Sequence, residues 1–150
     1  MQYSAYYVEE SDGTFSASIS KLELEKPADG FVQIKVTHSS LNYKDALSAS
    51  GNKGVTRNYP FVPGIDAAGT ISDANSSHFT EGDEVLVTGY DMGMNTPGGF
   101  GEYINVPTNW VVKKPSALTS LEAMSIGTAG LTAAASVLKI QESSQASDLP

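Results

Sequence analysis

Apolar and polar residues alternate with a period of two over most of the first two thirds of the chain. Tyr3 to Val8 and Thr14 to Ser20 read as short strands, the second with Phe15, Ala17 and Ile19 on one face. Phe31 to Thr37 is the clearest strand, with Val32, Ile34 and Val36 alternating against Gln33 and Lys35. Pro27-Ala28-Asp29-Gly30 and Glu81-Gly82-Asp83 are turns. Glu84 to Thr88 is an apolar strand, Glu102 to Val106 and Trp110 to Lys113 are further strands, and Pro63-Gly64-Ile65-Asp66-Ala67-Ala68-Gly69 is a turn feeding a strand of small residues. Leu41 to Ser48 fits a short helix ended by Gly51, with a Gly- and Asn-rich loop over 51–60. The period then changes. Thr119-Ser120-Leu121-Glu122 fits a capping box, Ser125 to Ile140 is Ala-rich and helical, and Gln141 to Asp148 reads as a polar linker. Short strands followed by helix predict a mainly β fold, a partly open barrel with a helical appendage.

Composition narrows the function. At 150 residues the chain is long enough for one core without staples. Nine basic against 17 acidic residues give a net charge of −8, and the only basic cluster is the pair Lys113–Lys114. A nucleic-acid partner needs a basic face, so that class is set aside, as is an anionic membrane surface. Without cysteine there is neither a disulfide nor a thiolate metal site, which fits a cytoplasmic protein. Met1 to Tyr6 lacks the basic and apolar regions of a signal peptide. No uninterrupted apolar run approaches the roughly 20 residues of a membrane span.

Chemistry concentrates in a few places. Asn42-Tyr43-Lys44-Asp45 offers an amide, a phenol, an ammonium and a carboxylate in four residues, although residue types alone favour a polar helix start with Asn42 as cap and Asp45 at N3. Asp66 stands between Ile65 and Ala67, where a buried carboxylate requires a partner, either in a site or in a capped turn. Gly127-Thr128-Ala129-Gly130-Leu131-Thr132 permits close approach to a ligand or close packing of a helix. His38 and His78 have no metal-ligand spacing, and no phosphate-cradling glycine motif occurs.

Five segments in this order resemble one family. They are SSLNYKDAL at 39–47, YPFVPGIDAAGTI at 59–71, EGDEVLVTGY at 81–90, GGFGEYINVP at 98–107 and SIGTAGLTAA at 125–134. The chain resembles the catalytic domain of the medium-chain dehydrogenase/reductase superfamily, in its zinc-independent quinone oxidoreductase and acrylyl-CoA reductase branch. The resemblance implies a GroES-like domain over residues 1–124. Residues 125–150 would be an interdomain helix and linker toward a Rossmann domain outside this chain. It further implies an NADPH-dependent reductase of quinones or α,β-unsaturated acyl thioesters, acting on a small molecule and homodimeric in its full-length form. On that reading residues 1–150 alone are inactive.

In zinc-dependent members, the metal ligands fall where this chain has Asn42, Ile65-Asp66 and Thr128, so the resemblance implies no zinc. It places Asn42, Tyr43 and Asp66 against the nicotinamide and the reacting carbon, with Asn42 also contacting cofactor and Tyr43 a proton donor to substrate. Thr128 and Thr132 contact the cofactor, and Arg57 meets an anionic part of substrate or cofactor. The alternative is a stand-alone GroES-like module for binding or oligomerisation.

Overall fold

A computed structural model describes residues 1–75 and 77–147. The elements follow the order β1 (Gln2–Ser11), β2 (Thr14–Glu23), β3 (Phe31–His38), α1 (Tyr43–Ala49), β4 (Asp66–Asp73), β5 (Glu84–Thr88), β6 (Tyr103–Pro107), β7 (Val112–Lys113) and α2 (Ser120–Ser147). β1 and β2 form a two-stranded hairpin, and the other strands form an antiparallel sheet in the order β6-β3-β4-β5-β7. Single bridges, Ala5 to Gly101 and Val8 to Phe61, join the hairpin to the rest. The result is the mainly β, partly open barrel that the period-two pattern predicts.

The core follows from that alternation. Val32, Ile34, Ala67, Ile71, Val85, Val87, Ile104 and Val106 come from β3 to β6 and pack in one cluster with Met92. Burying each aliphatic side chain contributes about 1.5–3 kcal/mol. β4, central in the sheet, is covered on both faces. Ala67 and Ile71 enter the main cluster, while Ala68 meets Ala123 and Met124 of α2. A strand pressed on both sides needs small residues, and it opens with Asp-Ala-Ala-Gly.

Several expectations shift. Gln33 does not stay on a solvated face but is buried, because the segment after β2 covers it. Its Nε2 donates to Glu25 O at 3.0 Å and to Asn105 Oδ1 at 3.1 Å. The face bearing Ile19 is open, with that residue 72% exposed. Thr108–Trp110 is a 3-10 turn, leaving only Val112–Lys113 to pair with β5. α1 starts at Tyr43 rather than Leu41, with Asn42 as its cap. Gln141 to Ser147 continues α2 instead of forming a linker, since Gln, Glu and Ala favour helix well enough to extend one already started; Asp148 lies outside the described residues. The capping box at Thr119 forms, with Thr119 N donating to Glu122 Oε2 at 2.8 Å and Glu122 N to Thr119 Oγ at 3.2 Å.

Although no apolar run suggests a span, Ser120–Ser143 has the length and mean hydropathy, 1.3, to cross a membrane by composition alone. It is not a continuous rod. Gly127 has φ 50° and ψ −162°, which breaks the helix after its first two turns. The first part is docked on β4 by Ala123 and Met124. The second part exposes Leu131, Val137 and Leu138, which spread around the helix.

Backbone crossings bring the loops together. Gly98 N donates to Val62 O at 2.8 Å, Gly99 N to Gly64 O at 2.9 Å and Phe100 N to Pro63 O at 3.0 Å. A Cβ on Gly98 would stand 2.4 Å from Gly64 O and 2.5 Å from Pro63 O, both backbone atoms that cannot swing aside. Gly98→Ala is therefore expected to cost about 2–3 kcal/mol. That corresponds to a melting temperature lower by roughly 5–10 °C, checked by thermal denaturation. An unchanged melting temperature would show that the two loops separate freely.

Candidate active site

The site forms at one end of the sheet, where β3 ends, β4 begins and β5 ends. Asp66 is the first residue of β4, registered against Thr88, the last of β5. Side chains alternate along a strand, so Asp66 lies on the same face as Ala68, the face that meets α2. Its carboxylate is 0% exposed. Three donors converge on it: Asn42 Nδ2 at 2.9 Å and Thr128 N at 3.0 Å on Oδ2, and Thr128 Oγ at 2.6 Å on Oδ1. These are charge-assisted bonds of about 1.5–3 kcal/mol each. Without them, a buried carboxylate would cost several kcal/mol.

A second buried carboxylate fixes the approach to the first. Asp45, 1% exposed, accepts from Asn42 N at 2.8 Å and from Ile65 N at 2.9 Å. It thus clamps the start of α1 to the residue before Asp66. Burial pushes the Asp45 carboxyl above its ordinary 3.8, the bonds from Asn42 and Ile65 oppose this, and the charge of Asp66 adds to the rise. Sequence reasoning took Asp45 as one of the groups of the Asn42–Asp45 cluster or as an N3 residue; nothing local signals its long-range bond to Ile65.

Of the residues singled out in the sequence, Asn42, Asp66 and Thr128 meet, from segments 24 and 62 residues apart. Tyr43 follows Asn42 as the first residue of α1 and is 81% exposed. Thr132 is one turn beyond Thr128, and its hydroxyl donates to Thr128 O at 2.9 Å. Arg57 is exposed in the loop after α1. That loop is tied elsewhere, through Lys53, which pairs with Glu10 and lies over the rings of Phe15 and Tyr59. Beside the Asn42 turn runs a mostly apolar groove of about 560 Å³ bounded by Tyr6, Leu41, Ala46, Ala49 and Phe100. Ser40, which sequence reasoning passed over, donates to Met124 O at 2.6 Å.

Among the described residues no group of three or more His, Cys, Asp or Glu could hold a metal. An amide N–H, a backbone N–H and a hydroxyl aimed at one carboxylate form a receptor for negative charge, and the two N–H donors offer no lone pair to a cation.

This fold and cluster define a class: the chain belongs to the alcohol dehydrogenase GroES-like domain family, which matches residues 28–116. Within that class the chain is similar to YhfP of Bacillus subtilis, which bears a provisional quinone oxidoreductase name. The two are 42% identical over 141 residues, 93% of this chain and 42% of the relative. It is 37% identical to the acrylyl-CoA reductase AcuI of Ruegeria pomeroyi over 134 residues, 89% of this chain and 41% of the relative. The yhdH oxidoreductase of Salmonella enterica, solved in complex with NADP, superposes with a TM-score of 0.87 at 42% identity, covering 95% of this chain and 43% of that one. Bacillus subtilis yhfP, solved with NAD bound, gives 0.89 at 39% identity, with the same coverage. The chain thus spans about two fifths of the length of these relatives.

The raised Asp45 carboxyl has a defined linkage. A group whose folded pKa lies above its unfolded value contributes stability that is fully present below the unfolded pKa and is lost as pH rises through the folded one. The stability of wild type relative to Asp45→Asn, measured by urea denaturation across the acid range, is therefore expected to be greatest below pH 3.8 and to shrink as pH rises. An advantage that grows with pH would mean that the bonds from Asn42 and Ile65 outweigh burial.

Proposed function

We propose that the chain is the substrate-side part of an NADPH-dependent, zinc-independent oxidoreductase. Its substrates are α,β-unsaturated acyl thioesters of the acrylyl-CoA kind or quinones. The observation that carries this reading is the convergence of Asn42, Asp66 and Thr128 at the sheet end from which the apolar second part of α2 departs. Relatives at 37–42% identity carry reductase or oxidoreductase names, and the solved ones hold NADP or NAD. A further domain resting on Leu131, Val137 and Leu138 accounts for their exposure.

The reduced nicotinamide, when bound, supplies the hydride. The residues of this chain then bind, orient and move a proton. Asn42 spends one amide hydrogen on Asp66 and keeps the other for the cofactor carboxamide or the substrate carbonyl. The Asp66 carboxylate holds that amide in one orientation. Tyr43, exposed at the next position, is the proton donor to the reduced carbon or quinone oxygen. Thr128 and Thr132 contact the cofactor through their methyl groups or as hydrogen-bond acceptors, because both hydroxyl protons are donated within the protein. Arg57 attracts an anionic part of substrate or cofactor along the loop after α1.

The full-length protein is expected to oxidise NADPH with acrylyl-CoA or with a quinone. Asn42→Ala should lower kcat/KM about ten- to a hundredfold, the loss of one orienting bond in the transition state. Residues 1–150 alone should show no saturable NADPH oxidation, because the nicotinamide is not held against the substrate. Failure of the full-length protein with every acceptor would leave the non-catalytic module.

The metal expectation is tested separately. Elemental analysis is expected to find no stoichiometric zinc. One zinc per chain, retained against a chelator, would overturn the reading of the Asp66 cluster.

A further inference from the structure

α2 is interrupted at Gly127, and the interruption is built rather than accidental. A Cβ at Gly127 would lie 2.5 Å from Ser40 Oγ and 2.9 Å from Asp66 Oδ2, so no side chain fits there. Both helix ends created by the break are satisfied from the substrate side of the domain. The carbonyl of Met124, at the end of the first part, accepts from Ser40 Oγ at 2.6 Å. The first donors of the second part, Thr128 N and Thr128 Oγ, are taken by Asp66 at 3.0 and 2.6 Å. A carboxylate at a helix start satisfies orphan amides and complements the helix dipole. The same Oδ2 that takes Thr128 N also takes Asn42 Nδ2. One buried carboxylate therefore sets two things at once, the orientation of the Asn42 amide and the start of the second part of α2.

We propose that Asp66 is a positioning residue. It holds the break at Gly127 and so fixes the direction in which the second part of α2 leaves the domain, coupling that direction to the Asn42 amide. Both its oxygens are engaged within the protein and it has no solvent contact. In the reductase proposed above, on which only the kinetic consequence rests, this coupling aligns the cofactor-side half with the substrate-side amide. The first turns of α2 need no such help, since Ala123 and Met124 pack on Ala68.

The test is amide hydrogen exchange on wild type, Asp66→Asn, Thr128→Val and Thr128→Ser. Local opening shows as faster exchange in one segment while the rest stays protected. Asp66→Asn and Thr128→Val are expected to speed exchange at residues 128–131 about tenfold or more, with the amides of Val85, Val87 and Ile104 unchanged. Thr128→Ser, which keeps the hydroxyl, retains wild-type protection. In the full-length enzyme Asp66→Asn is expected to raise KM for NADPH about tenfold as well as lowering kcat.

Wild-type exchange at 128–131 in Asp66→Asn would overturn the proposal. If that variant does not fold, equal protection in Thr128→Val and Thr128→Ser would overturn it. The exchange pattern does not depend on activity. Faster exchange in a protein that reduces no acceptor would defeat the reductase reading and leave this one standing, and the converse result would do the opposite.

Discussion

The arrangement depends on one buried charge. Asp66 sits at the start of the central strand, on the face covered by α2, with no exposure to water. A carboxylate there is tolerable only if the chain brings donors to it, and the donors come from α1's cap and from the break in α2. This requirement joins three segments distant in sequence. Removing any one of them leaves the charge short of partners, so the cluster holds or loosens as a unit.

Around that charge the backbone is drawn tight. The loop before β4 is crossed by the glycine-rich run before β6 through three backbone hydrogen bonds, and is clamped to α1 by Asp45. Glycine at 98 is required because the crossing leaves no room for a side chain. Two carboxylates with different partners thus fix one turn. Asp45 accepts from the backbone N–H groups of Asn42 and Ile65 and anchors the path of the chain. Asp66 accepts a side-chain amide and a helix start, and so links that path to the Asn42 amide and to the second part of α2. An apolar groove is bounded by residues of the α1 segment, and the second part of α2 begins at Thr128, one of the partners of Asp66.

Much of this was legible in the sequence because local pattern and final environment agree. Glu84–Thr88 is a strand as expected, its apolar run bounded by the turn at Glu81-Gly82-Asp83. Phe31 to Thr37, the clearest strand in the sequence, forms β3 and runs one residue further, to His38. Asp66 stood out as a carboxylate among apolar neighbours, and its burial follows from that position. What sequence could not supply was long-range. Gln33 looks solvated in its strand and is buried because Glu25, Ser72 and Asn105 reach it. The bond from Asp45 to Ile65 has no local signature. Gly127 and Thr128 read equally as close packing or as a site until Ser40 and Asp66 are seen beside them. The polar end of α2 carried the signs of a linker, but helix already formed extends through Gln and Glu residues at little cost.

The most direct test of the account is a crystal structure of the full-length protein with NADP bound. The account predicts the nicotinamide in contact with Asn42, the Asp66 carboxylate still accepting from Asn42 and Thr128, and no metal density between them. A nicotinamide remote from Asn42, or a metal ion ligated by Asp66 in place of those donors, would contradict it.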